Sequence, residues 1–142
     1  GCTPAVFAEF AAFRGRLVDV TVELVVGNHD RRIGAMPPSL GIDSCLRSVD
    51  EPPLHLVHDP ATRLLGEGRS AFTICGHIHP TVSIGAAGDR FTDRCFVADS
   101  TLLMLPAFGS FTGGQRVTPA AGQRFWIARD DGVAEVTQLV SP

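Results

Sequence analysis

Three apolar segments of this sequence each run directly into a turn that carries histidine, and this pattern constrains the fold more than any other feature. The segments are Val20 to Val26, Leu54 to His58 and Ala71 to Cys75. Their β-branched and aliphatic residues predict strands. The turns contain Gly27-Asn28-His29-Asp30, His58-Asp59-Pro60 and Gly76-His77-Ile78-His79. Because ligands bind at the carboxyl ends of strands in open α/β sheets, we predict an α/β fold with a binding site there.

The side chains in these turns are typical of a metal site. Asn28 offers an amide oxygen, and four of the five histidines lie in the turns. Adjacent side chains point apart, so one of Asn28 and His29 can bind metal while the other faces a substrate. We expect the carboxylate of Asp30 to accept a hydrogen bond from the His29 ring and to fix its tautomer.

Each of these histidines also has an ordinary interpretation. His77 and His79 would share one face of an extended chain without any function, or they could reach two neighbouring metals from a loop. His58 taken alone is an ordinary loop histidine, and we interpret His55 as structural. Cys75 precedes the second turn and is a less favoured ligand.

Length and composition fit a single domain over residues 1–142. The net charge of -3 argues against a large basic nucleic-acid footprint, although all twelve basic residues are arginine and a local arginine patch remains compatible. The four cysteines form no CxxC pair, which predicts free thiols in a reducing, cytoplasmic location. No segment has the length and apolarity of a membrane span or a signal peptide, so we expect no membrane partner.

The remaining sequence predicts one helix followed by many short strands. Thr3 and Pro4 are a helix N-cap and first residue, and Gly15 ends that helix. Residues 31–43 and the Gly-rich segment Pro106 to Gly114 predict loops. The candidate later strands are Thr81 to Ile84, Arg94 to Ala98, Thr101 to Leu105, Arg124 to Ala128 and Val133 to Leu139, with a hairpin turn at Asp130-Asp131-Gly132. Early parallel strands and late hairpins predict mixed sheets.

The order GNHD, single His, GHIH resembles the second half of the calcineurin-like metallophosphoesterase signature. That family binds two divalent metals and cleaves phosphoester bonds. The strings GNHDR, HDP, GHIHP and LPAFGSFTGG are similar to one bacterial branch, the DNA-ligase-associated metallophosphoesterases, described as DNA-repair phosphodiesterases or endonucleases. The resemblance implies a four-layer αββα sandwich with mixed sheets, here incomplete at its N-terminus.

The resemblance also implies the metal ligands and the reaction. Asn28, His58 and His77 would bind one metal, and His79 would bind the other. A hydroxide bridging the metals would attack the phosphodiester, possible substrates including single-stranded DNA. The metals would be Mn²⁺, with Fe or Zn as alternatives.

Two further roles follow from the same resemblance. His29, steered by Asp30, would protonate the leaving oxygen or stabilise the charge on phosphorus. Arg31 would contact a substrate phosphate, and a solvated loop arginine is the alternative interpretation.

The sequence departs from the family because neither D-x-H nor G-D-x-x-H occurs in residues 1–26. In the family these motifs supply the carboxylate that bridges both metals. We therefore expect this chain to hold one metal, to be weakly active or inactive alone, and to expose apolar surface through which copies associate. Two alternatives stay open: a superfamily relative acting on nucleotide or lipid phosphodiesters, and a non-catalytic metal-binding remnant.

Overall fold

The structure, a computed structural model, describes residues 3–30, 37–65, 72–86, 89–109 and 112–140. The chain divides into two compact units, Gly1–Ser48 and Val49–Pro142. A single domain over residues 1–142 stays a prediction. Among the described residues, no helix combines the length and apolarity needed to cross a membrane.

The first unit begins with the predicted helix, α1, which spans Pro4–Arg14. The side-chain oxygen of Thr3 accepts a hydrogen bond from the Val6 backbone N–H at 3.4 Å, so Thr3 caps the helix as expected. At the other end, the Gly15 N–H donates to the carbonyl of Ala11 at 2.9 Å. The helix start and end read from the sequence are therefore confirmed.

A two-stranded parallel sheet completes the described part of this unit. It pairs β1, Glu23–Val25, with β2, Ser44–Leu46. A 3-10 turn, Pro38–Leu40, lies between them in sequence and buries Leu40. The strand predicted over residues 20–26 is thus shorter than expected, and β2 was not predicted.

Arg14, the last residue of α1, makes several contacts within this unit. Its guanidinium donates to the carbonyl of Gly41 at 2.8 Å and to that of Leu17 at 2.7 Å. It also contacts the carboxylate of Asp43 at 3.3 Å. Arg14 therefore joins the helix end to the segment that leads into β2.

The second unit is built from short strands that form two sheets. The strands are β3 Ser48–Glu51, β4 Leu54–Val57, β5 Phe72–Cys75, β6 Pro80–Ala86, β7 Asp89–Arg94, β8 Phe96–Ala98, β9 Leu102–Met104, β10 Gln115–Arg116, β11 Arg124–Arg129 and β12 Gly132–Glu135. The larger sheet has the order β12-β11-β8-β9-β5-β4-β3, and the smaller has the order β10-β6-β7. In the larger sheet β4, β5 and β9 run parallel, whereas β8, β11 and β12 pair antiparallel. The predicted mixed sheets are confirmed.

Side chains from both sheets meet in one core. The buried members are Val82, Ile84, Cys95, Val97, Phe125, Ile127 and Val136. Five of them come from β6 in the smaller sheet and from β8 and β11 in the larger, and Cys95 and Val136 lie directly before β8 and directly after β12, which agrees with the predicted sandwich. Residues of β8 and β11 that alternate with these core positions face the other side of the larger sheet, where Phe96 and Trp126 help to line an apolar groove.

Candidate metal centre

The ends of two neighbouring parallel strands bring His58 and His77 together. Strand β4 pairs with β5 so that Val57 lies opposite Cys75, the last residue of each strand. The backbone N–H of Gly76 then donates to the carbonyl of His58 at 3.1 Å, which extends the pairing into the turns. As a result, His58 Nε2 lies 3.0 Å from His77 Nδ1.

This spacing suits two ligands on one metal ion. Metal–imidazole bonds in zinc sites are about 2.0–2.1 Å long, so two bound nitrogens lie roughly 3.3 Å apart at the tetrahedral angle and roughly 2.9 Å apart at right angles. The rings meet edge to face, with centroids 4.9 Å apart and an interplanar angle of 66°. Without an ion, the same distance is a hydrogen bond in which the tautomers decide which nitrogen donates. The two histidines therefore fit a divalent metal as adjacent ligands.

The carboxylate of Asp59, for which the sequence predicts no role, lies near the His77 ring. Asp59 Oδ2 is 3.8 Å from His77 Nε2, the nitrogen that faces away from His58. The other carboxylate oxygen, Oδ1, accepts a hydrogen bond from the Ala61 N–H at 2.8 Å. Ligating histidines generally direct their second nitrogen toward such an outer partner. The position of Asp59 directly after His58 was the sequence feature that could have predicted this role.

The turn after β5 adopts an uncommon backbone. His77 has φ 64° and His79 has φ 51°, both in the left-handed region that non-glycine residues seldom occupy. Between them, the Ile78 N–H donates to the carbonyl of Gly76 at 2.7 Å. Such conformations cluster at functional sites, because the surrounding structure has to hold them in place.

His79 is half-buried in this turn, but its ring is not joined to the pair. Within the part of the chain that the structure describes, the His79 ring makes no hydrogen bond and no ring contact with His58 or His77. Its carbonyl accepts from the Gln115 N–H at 3.1 Å, so this residue is fixed through its backbone. Across the described residues, no group of three or more His, Cys, Asp or Glu side chains is placed to hold a metal ion. Among the described residues, the structure thus brings together two candidate ligands, His58 and His77.

The GNHD turn lies in the first unit, at the end of β1. Asn28 and His29 are exposed in this turn. The predicted hydrogen bond from the His29 ring to Asp30 is absent among the described residues. Instead, the Asp30 carboxylate accepts from the Gly27 N–H at 2.8 Å, because the tight turn brings that donor within its reach. Arg31, the predicted phosphate contact, lies outside the described residues.

Comparison with known proteins shows a likeness to a solved nuclease structure. No protein-family model matches the sequence, and no curated protein matches it. The chain is similar to the crystal structure of Pseudomonas putida nuclease MPE, with 34% identity and a TM-score of 0.70 over 94% of this chain. The chain spans 62% of the length of that nuclease. With the mixed sheets described above, this likeness confirms the α/β sandwich class.

Proposed function

We propose that this chain is part of a metal-dependent phosphodiesterase that acts as a nuclease. The observation that carries the proposal is the 3.0 Å approach of His58 Nε2 to His77 Nδ1 at the ends of two parallel strands. The likeness to a nuclease supports the same reaction class. A local likeness of the GHIHP and LPAFGSFTGG strings to the DNA-ligase-associated metallophosphoesterases supports a role in DNA repair.

In this proposal His58 and His77 would be ligands of one divalent ion. When bound, such an ion supplies charge neutralisation at the phosphoryl oxygens and makes water a better nucleophile. Imidazole ligands suit Mn²⁺, Fe or Zn²⁺, and we propose Mn²⁺. Asp59 orients the His77 ring through its contact with Nε2. The left-handed backbone at His77 keeps Nδ1 directed toward His58.

The remaining site residues complete the proposal. Asn28 is a further candidate metal ligand. His79 is a candidate ligand for a second ion, which we do not expect this chain to hold. His29 donates a proton to the leaving oxygen, and Arg31 contacts the substrate phosphate. Asp30 stabilises the GNHD turn through its hydrogen bond with Gly27.

The chain's own donor set explains the low activity that we expect from it. The described residues bring two imidazoles together, and two ligands bind an ion less firmly than the three or four protein ligands of most metal centres. Neither D-x-H nor G-D-x-x-H precedes the GNHD turn in residues 1–26, so no carboxylate from those motifs bridges two ions. We therefore propose weak, Mn²⁺-dependent turnover by the 142-residue chain.

The test is hydrolysis with enzyme in excess over substrate, so that a single slow turnover is measurable. Single-stranded DNA and small cyclic or nucleotide diesters are compared with Mn²⁺ and with chelator. Cleavage of DNA that needs Mn²⁺, disappears in His77→Ala and persists in His55→Ala supports the proposal. His55 is a suitable control because it lies on β4 and pairs with Asp50 at 2.7 Å, away from His77. Absence of both metal binding and cleavage, or full activity in His77→Ala, contradicts it.

A further inference from the structure

The Gly-rich loop between Leu105 and Gln115 has no role in the proposed reaction. It is hydrogen-bonded to the chain on both sides of the GHIH turn. Before the turn, the carbonyl of Cys75 accepts from the Leu105 N–H at 2.8 Å. After the turn, the carbonyl of His79 accepts from the Gln115 N–H at 3.1 Å. The loop between Leu105 and Gln115 therefore starts and ends beside the residues that flank His77.

Close packing fixes the end of this loop. A side chain at Gly114 would overlap the Thr81 side chain and would place its Cβ 2.8 Å from the His79 carbonyl oxygen. Glycine is thus required for the loop to approach the turn so closely. The preceding Gly113 has open space around it, so the requirement is specific to position 114.

An arginine fixes the middle of the loop. The guanidinium of Arg94 donates to the carbonyl of Ala107 at 3.3 Å and to that of Thr112 at 3.4 Å. The Thr112 N–H donates to the Gly109 carbonyl at 3.2 Å, and Ala107 is buried. The described parts of the loop are therefore anchored at several points along their length.

The ring of Phe108 is exposed to solvent on this anchored loop. Phe108 has a relative exposure of 105%, next to the buried Ala107. Single exposed apolar residues are common and need no explanation by themselves. Phe108 differs because the loop on either side of it is anchored, so the ring is kept in water beside the candidate site.

The position and charge of the loop suit a nucleic acid strand. Phe108 lies three positions after Leu105, so their Cα atoms lie within about 11 Å of each other. Because Leu105 is hydrogen-bonded to Cys75, Phe108 lies within a few nucleotide lengths of the turn that holds His77. Residues 105–116 contain one arginine, Arg116, and no acidic residue, so nothing in the loop repels a phosphate backbone.

We propose that Phe108 is a stacking platform for a base of a single-stranded nucleic acid whose phosphodiester lies at the His58–His77 pair. This inference rests on the proposed function and adds the way in which the substrate is recognised. An aromatic ring stacks on any base, because every base has a π-face, whereas bases in a duplex are already stacked on their neighbours. The platform therefore favours single strands and is tolerant of sequence.

The test compares Phe108→Ala and Phe108→Trp with the wild-type 142-residue chain. Binding to a fluorescent single-stranded oligonucleotide and to an abasic strand of equal length is measured at one salt concentration. We expect Phe108→Ala to weaken binding to the base-bearing strand about tenfold and to leave abasic binding unchanged. Phe108→Trp should restore binding, and its fluorescence should be quenched by the base-bearing strand alone. Leu139→Ala, which removes another exposed apolar side chain, is the matched control.

The outcomes separate this inference from the function on which it rests. Wild-type affinity in Phe108→Ala, or an equal loss for the base-bearing and abasic strands, overturns the stacking role. A wild-type chain that binds neither strand and hydrolyses no small diester overturns the proposed function itself. Because Phe108 is fully exposed, its replacement leaves the core unchanged, and equal thermal unfolding of all variants verifies this.

Discussion

His58 Nε2 and His77 Nδ1 lie 3.0 Å apart although the two residues are 19 positions apart in the sequence. The approach follows from the parallel pairing of β4 with β5, which ends in register at Val57 and Cys75. The turns after these two strands are brought to the same edge of the sheet. His58 is the first residue after β4 and His77 is the second after β5, and their rings make this edge a place where a cation can be held.

Asp59 is predicted to strengthen metal binding through His77. In Asp59→Asn, the side-chain oxygen can still accept from the Ala61 N–H, but the charge beside His77 Nε2 is lost. We expect metal affinity to fall by roughly tenfold or more, as for other outer-shell partners. Calorimetric titration measures this effect, and thermal unfolding in chelator should match the wild type. Unchanged affinity would mean that Asp59 only stabilises its own turn.

Gly114 is predicted to be the glycine of the loop that cannot be replaced. In Gly114→Ala, the new methyl group meets Thr81 and the His79 carbonyl, so strand β10 has to move away from β6. We expect a loss of about 1–3 kcal/mol in the free energy of unfolding, as for other overpacked sites. Urea denaturation measures it. Gly113→Ala is the control, because an added methyl group there has open space. Equal stabilities of the two variants would contradict the packing of the loop against the turn.

Arg14 is predicted to stabilise the first unit mainly through its backbone hydrogen bonds. Arg14→Ala leaves the carbonyls of Gly41 and Leu17 without this donor, and hydrogen bonds to charged groups contribute about 1.5–3 kcal/mol each, less where water can replace the lost donor. We expect a net loss of about 1–2 kcal/mol, with faster amide exchange in α1. Arg16→Ala, an exposed neighbour, should change stability by less than about 0.5 kcal/mol. A comparable loss in both variants would show that the backbone hydrogen bonds of Arg14 contribute no more than the side chain of an exposed arginine.

Cys95 is predicted to be unreactive in the native state. Burial, and secondarily the nearby charge of Asp93, raises the pKa of its thiol from 9.0 to about 12. Iodoacetamide at mildly alkaline pH should therefore label the exposed Cys45 quickly and Cys95 only after unfolding, as peptide mass mapping would show. Rapid native labelling of Cys95 would contradict its place in the core.

The same shift predicts a pH dependence of stability. Because the folded pKa of Cys95 lies above the unfolded value of 9.0, the unfolded thiol loses its proton first as the pH rises. The stability that comes from keeping this thiol neutral is therefore present below pH 9 and is lost progressively toward pH 12. Cys95→Ala should flatten this alkaline decline in urea denaturation relative to the wild type. An identical decline in both proteins would assign it to other groups.

The sequence allowed the strands that carry the candidate site to be predicted, because they are apolar and end at histidine turns. Strands β4 and β5 lie where the pattern placed them. Strand β7 was missed because its sequence, DRFTDR, is polar and exposed and lacks apolar alternation. Strand β10 was missed because two residues carry no periodic signal.

Contacts within the candidate site were harder to predict than its residues. Sequence placed His58 and His77 at strand ends, but the choice of Nε2 and Nδ1 depends on ring orientation. The left-handed backbone at His77 and His79 has no signal in a Gly-His-Ile-His-Pro string, since glycine is the usual residue there. Asp30 bonded to the Gly27 N–H because a backbone donor within the turn is closer to it than a neighbouring ring.

The central claim is that His58 and His77 jointly hold one divalent ion, and calorimetric titration of the metal-free chain with Mn²⁺ tests it most directly. The account predicts about one ion per chain, loss of that binding in both His58→Ala and His77→Ala, and wild-type binding in His55→Ala. Each ligand variant should unfold at the wild-type temperature in chelator. Binding that survives in His77→Ala, or a stoichiometry near two ions per chain, would contradict the claim.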